Sequence, residues 1–247
     1  MIFGKNQAIG IHKEERFQLS LERFVEKYSH HEISSRAMFE WAHLLKTQGL
    51  FIDSINIAQK GFEAFPKSIG AIDCHNLIQD IKQKQVTVSS EQVWNKPWPV
   101  IQLNYKNITK AYFKAIPYDY TKLMESSRYN IINRYINRDL FNELKELEAI
   151  EKWNTDLPNT SDYHERSAYV NVPTNLKPGF YFIMVSHHES FQNDNNNITV
   201  AKVWVSDLAL ITRRSHIKGE LSGFVLKALD GKPVPQAQVK LYEANNQ

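Results

Sequence analysis

The chain has 247 residues, with 30 basic and 27 acidic side chains and a formal net charge of +3. So small an excess, without a long basic run, argues against a nucleic-acid partner or an anionic membrane surface. No stretch approaches the ~18 apolar residues of a membrane span. The N-terminus also lacks the apolar core and cleavage site of a signal peptide. The length suits two domains.

Residues 12–85 carry apolar side chains at helical spacing, which predicts about four helices. Breaks are expected at Ser29–His31, at Gln48–Gly49 and at Pro66, and the short connections imply antiparallel neighbours. Small residues mark the contact between the middle helices, and this pattern resembles a tetratricopeptide repeat. A plain antiparallel helical bundle is the alternative. The small residues are Ala42, Ser54, Ala58 and Gly61.

Cys74 is the single cysteine of the chain. One cysteine excludes an internal disulfide framework and a CxxC-type zinc site. Because Cys74 lies in the predicted helical stretch AIDCHNLIQDI, we expect it to be a small buried hydrophobic residue.

Residues 86–99 are predicted to be a linker between the helical part and a β part, because two prolines there bracket Trp98. From Val100 the period changes to two, and residues 100–116 predict a hairpin or meander that turns near Asn107.

Residues 119–152 interrupt the strands. Apolar residues recur there at spacings of three and four, which predicts an amphipathic insertion of about two helices packed on its own sheet. These residues are Tyr135, Ile136, Leu140, Leu144, Leu147 and Ile150.

Strand character returns at Thr160–Asn171 and dominates Lys177–Arg214. Pro178–Gly179 opens the second stretch, and the polar loop Gln192–Asn197 interrupts it. We predict three long strands in it, the first two forming a hairpin: Phe180–Ser186, Ile198–Val205 and Asp207–Thr212.

The last part of the sequence, Lys218–Glu243, has the pattern of a new β-domain. A strand is expected at Gly223–Leu226, a turn at Asp230–Pro235 and a second strand at Ala237–Tyr242. Because the chain stops just after these strands, we expect it to be a fragment of a larger protein.

His187 and His188, followed by Glu189, come nearest to a metal or catalytic constellation, together with His164–Glu165. A zinc site needs three or four converging ligands with supporting hydrogen bonds. We therefore predict no enzyme activity, no catalytic residue, no cofactor and no metal, and keep His187 and His188 as weak metal candidates.

Three segments in order resemble bacterial alpha-2-macroglobulins. NYKNITKAYFKAI is similar to a strand pair of their first macroglobulin-like domain, and LKPGFYFIMVSHHES with VAKVWVSDLALITR to its closing strands. GFVLKALDGKPVPQAQVKLYE is similar to the opening of the next such domain. The helical part, including PKSIGAIDCHNLIQDIK, resembles the N-terminal helical region of the large members from Bacteroidetes-type bacteria.

The resemblance implies an α+β multidomain fold. A helical-repeat or bundle module would be followed by an antiparallel, Ig-like β-sandwich with a helical insertion. The expected parts are a helical module (12–85), a linker (86–99), a macroglobulin-like sandwich (100–214, insertion 119–152) and the start of a second such domain (217–247).

The resemblance also implies a role. The whole protein would lie in the periplasm or at the outer membrane and would entrap or inhibit proteases, with this chain as a non-catalytic scaffold or docking arm. Its partner would be a protein, either a protease or an envelope protein. The thioester of trapping members needs Cys and Gln four positions apart, and Cys74 is followed by His75, Asn76, Leu77 and Ile78.

Two other functions remain open. A helical-repeat and Ig-like module for adhesion or secretion would bind a peptide or an envelope protein, and an exposed apolar helical face would favour it. An enzyme built on His164 and His187–Glu189 is the third, and zinc binding lost in His187→Ala would support it.

Overall fold

A computed structural model of the chain describes residues 13–126, 136–192, 196–214 and 221–240. The described chain has an α+β fold and divides into two compact units. The helical unit contains residues 13–83 and 160–165, and the β unit contains the others.

The helical unit contains the four predicted helices within its described residues, separated at the three predicted breaks. Gly49, at φ 77°, allows the tight turn between the second and third helices, where Leu50 N–H donates to the Leu45 carbonyl at 2.9 Å. Ser68 caps the fourth helix by accepting from Ala71 N–H at 3.1 Å. The helices are α1 (Lys13–Lys27), α2 (Ile33–Thr47), α3 (Phe51–Ala64) and α4 (Ile69–Lys82).

Small residues bring α2, α3 and α4 into close contact. Ala42 and Ala58 are fully buried, and the Ser54 hydroxyl donates to the Ala42 carbonyl at 2.6 Å. A Cβ on Gly61 would lie 2.7 Å from Cys74 Sγ, and one on Gly70 would lie 2.4 Å from a backbone nitrogen of α2. The predicted small-residue contact is therefore present and extends to α4.

The described strands of the β unit form three sheets. A three-stranded sheet has the order β1-β3-β6, a five-stranded sheet the order β2-β8-β7-β4-β5, and β9 pairs with β10 in a two-stranded ribbon. The strands are β1 (Gln85–Ser89), β2 (Val93–Trp94), β3 (Val100–Lys106), β4 (Lys110–Pro117), β5 (Glu151–Asp156), β6 (Arg166–Asn171), β7 (Gly179–Ser186), β8 (Ile198–Val205), β9 (Leu208–Arg214) and β10 (Leu221–Lys227).

The prediction that residues 86–99 are only a linker is wrong. It contains β2 and most of β1, which pairs antiparallel with β3 from Gln85↔Lys106 to Ser89↔Gln102. The alternation of Val86, Thr87 and Val88 is a strand pattern too short to stand out in the sequence. Because β2 runs parallel to β8, the five-stranded sheet is mixed, whereas an antiparallel sandwich was expected.

The predicted hairpin over 100–116 is also wrong in its pairing. β3 and β4 follow each other through a turn at Asn107, which has φ 60°. The two strands nevertheless lie in different sheets. The turn carries the chain from one sheet to the other, a choice that residue alternation does not encode. By contrast, β7 and β8 form the predicted hairpin, from Gly179↔Val205 to Ser186↔Ile198.

One hydrophobic core, here called the inter-sheet core, is built by both larger sheets. Alternate residues of β3, Ile101, Leu103 and Tyr105, contribute from the three-stranded sheet. Phe113, Ile183 and further residues of β4, β7 and β8 contribute from the five-stranded sheet. The contact of the two sheets removes these side chains from water.

A second core, the helix-side core, covers the other face of the five-stranded sheet. Phe180, Phe182 and Met184 of β7 pack there with apolar residues of the insertion. Within the described residues the insertion contains the helices α5 (Tyr120–Ser126) and α6 (Arg138–Glu146), which agrees with the predicted helical insertion. Its contributions to the core are Leu123, Leu140 and Leu144.

Two of the apolar residues named for this insertion are not among the core residues that the structure describes. Tyr135 is outside the described residues. Ile150 is 51% exposed because α6 ends at Glu146 and the chain there approaches β5.

None of the helices in the described ranges is long and apolar enough to cross a membrane.

Two further predicted strands differ from the structure. Of Thr160–Asn171 only β6 is a strand. Residues 160–165 turn, with Tyr163 at φ 62° packed against the helical core. Ala237–Tyr242 is not a strand over its described residues 237–240, and its last two residues lie outside them. Gln236 at φ 57° diverts the chain before this segment.

The close contact at Gly70 makes a testable prediction. In an open helix, Gly→Ala stabilises by ~1 kcal/mol. We expect Gly70→Ala to destabilise the chain by about 1–3 kcal/mol instead, because its methyl group would meet the backbone of α2. Denaturant unfolding measures the difference. Asn76→Ala, at an exposed position of the same helix, should change stability by less than ~0.5 kcal/mol. Stabilisation by Gly70→Ala would contradict the packing.

Candidate protein-docking surfaces

The ribbon of β9 and β10 exposes apolar side chains on both faces. Directly paired residues of an antiparallel ribbon share a face. Ile211 and Phe224 therefore lie on one face, and Leu210 and Val225 lie on the other. Ile211 is 55% exposed, Leu210 57% and Phe224 69%. A two-stranded ribbon is marginally stable alone in water, so these faces have the character of a surface that another element covers.

The ribbon ends in the predicted turn at Asp230–Gly231. Gly231 has φ 68°, and the Asp230 carboxylate accepts from Lys232 N–H at 3.1 Å. The hydrogen bonds from Lys232 lower the pKa of this carboxyl below its usual value. The chain then returns along β10, where Val234 N–H donates to the Val225 carbonyl at 2.9 Å. The turn therefore folds the following residues back onto β10.

Gly223 permits the close approach of the two ribbon strands. A Cβ built on it would lie 2.5 Å from the Ile211 carbonyl oxygen. A larger residue would therefore push the strands apart.

A cleft of about 180 Å³, here called the aromatic cleft, opens on the helix-side face of the five-stranded sheet. Three rings in mutual contact form part of its wall. The Tyr120 ring centroid lies 5.1 Å from that of Phe180 and 4.8 Å from that of Trp204, and the Phe180 and Trp204 centroids are 5.2 Å apart. The other lining residues are Gln92, Leu123, Met124 and Lys202.

Lys202 is an unusual residue for this wall. It lies two positions before Trp204 on β8, opposite Phe182 of β7, so it shares the helix-side face with Trp204. Burial lowers the pKa of its ammonium group. This site was not predicted from the sequence, because 82 positions separate Tyr120 from Lys202. The one signal available was a lysine inside a mainly apolar strand.

The helical unit also has a groove, of about 320 Å³, between α1 and α2. Phe24 of α1 lines the groove and is 38% exposed. Phe17, also on α1, is 51% exposed. Arg36 and Glu40 also line the groove and form an ion pair at 2.8 Å. The remaining lining residues are Ser20, Leu21, Ile33 and Ala37.

His187 and His188, the weak metal candidates, serve the turn after β7. His187 Nδ1 accepts from Asn197 N–H at 3.1 Å, and His188 Nδ1 lies 2.8 Å from the Ser190 hydroxyl. His164, which the sequence grouped with them, belongs to the helical unit, where its ring lies 4.8 Å from that of Phe51. Among the described residues no group of three or more His, Cys, Asp or Glu could hold a metal ion.

Cys74 is fully buried in the helical core. Its Sγ lies 3.6 Å from the Ser35 carbonyl oxygen. Burial, with a smaller contribution from Asp73, raises the pKa of its thiol to about 12. The thiolate is the reactive form of cysteine, so this residue has the inert character expected from the sequence.

The comparisons with known proteins found no matching family model and no matching curated sequence. Two solved structures of native alpha-2-macroglobulin from Escherichia coli are similar to the chain. One spans domains MG0-NIE-MG1, with 12% identity and a TM-score of 0.42, over 62% of this chain and 48% of that chain. The other spans NIE-MG1, with 13% identity and a TM-score of 0.43, over 62% of this chain and 74% of that chain. The chain thus spans about half of the first of these structures, and a likeness of this size assigns neither a family nor a function.

The state of Cys74 can be measured with a thiol reagent. At pH 8, a pKa of about 12 leaves about one thiolate in ten thousand, whereas an unfolded cysteine is partly ionised. We expect native protein to react at least roughly a thousandfold more slowly than protein in denaturant. Because the chain has one cysteine, the unfolded sample is the matched control. Equal rates would contradict the burial of this thiol.

Proposed function

We propose that the chain is the N-terminal, non-catalytic part of a bacterial alpha-2-macroglobulin-like protein that entraps or inhibits proteases. The helical unit would be its N-terminal helical region, with tetratricopeptide-like hairpins of the Bacteroidetes type. Residues 100–214 would be its first macroglobulin-like sandwich, and residues 217–247 the start of a second. The protein would act in the periplasm or at the outer membrane, where this chain serves as a scaffold or docking arm.

The observation that carries this proposal is the separate ribbon of β9 and β10. These strands pair with each other and with no other strand in the described ranges. Both faces of the ribbon carry exposed apolar side chains, among them Leu210 and Phe224. A new β-domain beginning here would supply further strands and a second sheet to cover these faces.

The positions of the resembling sequence segments also support the proposal. Pro178–Gly179 opens β7, where the Tyr181 hydroxyl donates to the Lys177 carbonyl at 2.8 Å. Ser206 and Asp207 connect β8 to β9, and the Ser206 hydroxyl accepts from Leu208 N–H at 3.1 Å. These motif residues stand where the chain enters a strand or leaves a sheet, so they have fold-making roles in a β-domain protein.

The function is tested with the full-length protein that carries this chain, mixed with trypsin. A trap closes around the protease without blocking its active site. We therefore expect hydrolysis of casein to fall several-fold while hydrolysis of a small chromogenic peptide continues. Loss of both activities would indicate an ordinary active-site inhibitor. Unchanged casein hydrolysis would contradict the proposal.

The role of the ribbon is tested in the same assay. The double variant Leu210→Asp, Phe224→Asp should weaken the protection of casein, because charges on these faces oppose cover by the next domain. Tyr169→Asp is the matched control, since Tyr169 is 71% exposed on the three-stranded sheet. Equal protection by the double variant and the control would remove the ribbon from the trapping mechanism.

A second candidate function is an adhesion or secretion module that binds a protein through its helical unit. The groove between α1 and α2, with its exposed Phe24, favours this function. Under this alternative the full-length protein leaves casein hydrolysis unchanged. Phe24→Glu would abolish partner binding, whereas Asn76→Glu on the exposed face of α4 would not.

A further inference from the structure

The aromatic cleft has the size of one side chain. Its volume is about 180 Å³, and an apolar protein cavity of about 150 Å³ suffices to bind benzene. The cleft is thus large enough for one phenyl or leucyl group and too small for a folded element. The lining residues that the structure describes all belong to the β unit and come from α5, β7, β8 and the residue before β2, with none from the ribbon.

The aromatic wall of the cleft is already assembled. The rings of Tyr120, Phe180 and Trp204 contact one another at centroid distances of 4.8–5.2 Å. These contacts fix the orientation of each ring. Phe180 is 6% exposed and forms the floor, whereas Trp204 is 37% exposed and reaches solvent. A preformed site needs little ordering of its side chains on binding, and Trp and Tyr are the residue types that most often carry binding energy.

The polar wall of the cleft sets the charge of its ligand. Lys202 and Gln92 line the same space as the three rings. An ammonium group has three N–H donors, so Lys202 can serve a ligand in addition to partners within the protein. Burial disfavours the charged form of this lysine, as the lowered pKa indicates. A carboxylate in the cleft would favour the charged form of Lys202, whereas a cationic ligand would be repelled.

We propose that the aromatic cleft binds a peptide segment in which a phenylalanine- or leucine-sized side chain stands next to a carboxylate. The apolar side chain lies against Tyr120, Phe180 and Trp204. The carboxylate lies at Lys202, with the side-chain amide of Gln92 as a further donor. The site is independent of the proposed trapping function, since it requires neither the ribbon nor the helical unit.

Three peptides test the proposal: acetyl-Gly-Phe-Asp-Gly-amide and its analogues with Asn or Lys in place of Asp. Each is titrated into the ¹⁵N-labelled chain while the indole N–H signal of Trp204 is followed by NMR. We expect the Asp peptide to shift this signal and to bind about three- to tenfold more tightly than the Asn peptide. The Lys peptide should be the weakest ligand.

Variants separate the two walls of the cleft. Lys202→Met should lower the affinity for the Asp peptide to that for the Asn peptide, and Lys202→Glu should reverse the preference towards the Lys peptide. Lys177→Met, at an exposed position before β7, is the matched control and should change nothing. Trp204→Ala should abolish binding, and the rest of its NMR spectrum reports whether it folds.

The proposal is overturned if the Asp peptide shifts no cleft signal up to its solubility limit. It is also overturned if the three peptides bind equally, or if Lys202→Met keeps the full preference for Asp. The two Lys202 variants keep Trp204. They therefore test the proposal even if the Trp204→Ala protein fails to fold.

Discussion

β7 is buried on both faces, and this burial determines which elements must pack against the five-stranded sheet. Four consecutive residues of this strand, 182–185, are fully shielded from solvent. Successive side chains of a strand point to opposite faces. Phe182 and Met184 therefore need one cover while Ile183 and Val185 need another. The three-stranded sheet supplies the second cover and the helical insertion supplies the first, so the insertion is part of the fold and not an addition to a finished sheet.

Lys114 of β4 shows how closely the insertion is fitted to the sheet. It is 5% exposed, and its ammonium group donates to the carbonyls of Leu144 at 3.3 Å and Lys145 at 3.0 Å. Burial, with the nearby charge of Lys152, lowers the pKa of Lys114. The last carbonyls of a helix lack partners in the helix and favour a cation. A lysine from the sheet thus holds the end of α6 while the helix covers the sheet.

The sequence predicted the elements with long, regular patterns. The four helices follow from apolar residues at helical spacing, and β7 and β8 follow from dense runs of aromatic and β-branched residues. Elements that depend on tertiary pairing were not predicted from the sequence. β2 has two residues, and β3 and β4 separate into different sheets at Asn107. The aromatic cleft was not foreseen, because it combines side chains from distant segments. The metal candidates His187 and His188 had the right residue types, but both ring Nδ1 atoms serve the turn.

Hydrogen–deuterium exchange of the isolated chain compares the five-stranded sheet, which is covered on both faces, with the ribbon of β9 and β10, which no element of the described ranges covers. Amides of buried central strands exchange through global unfolding, whereas those of a thinly covered ribbon exchange through local opening. We expect the amides of β7 to exchange at least about a hundredfold more slowly than those of β9 and β10. Equal protection of the two would show that the ribbon is already covered in this chain, which is the opposite of the expected result.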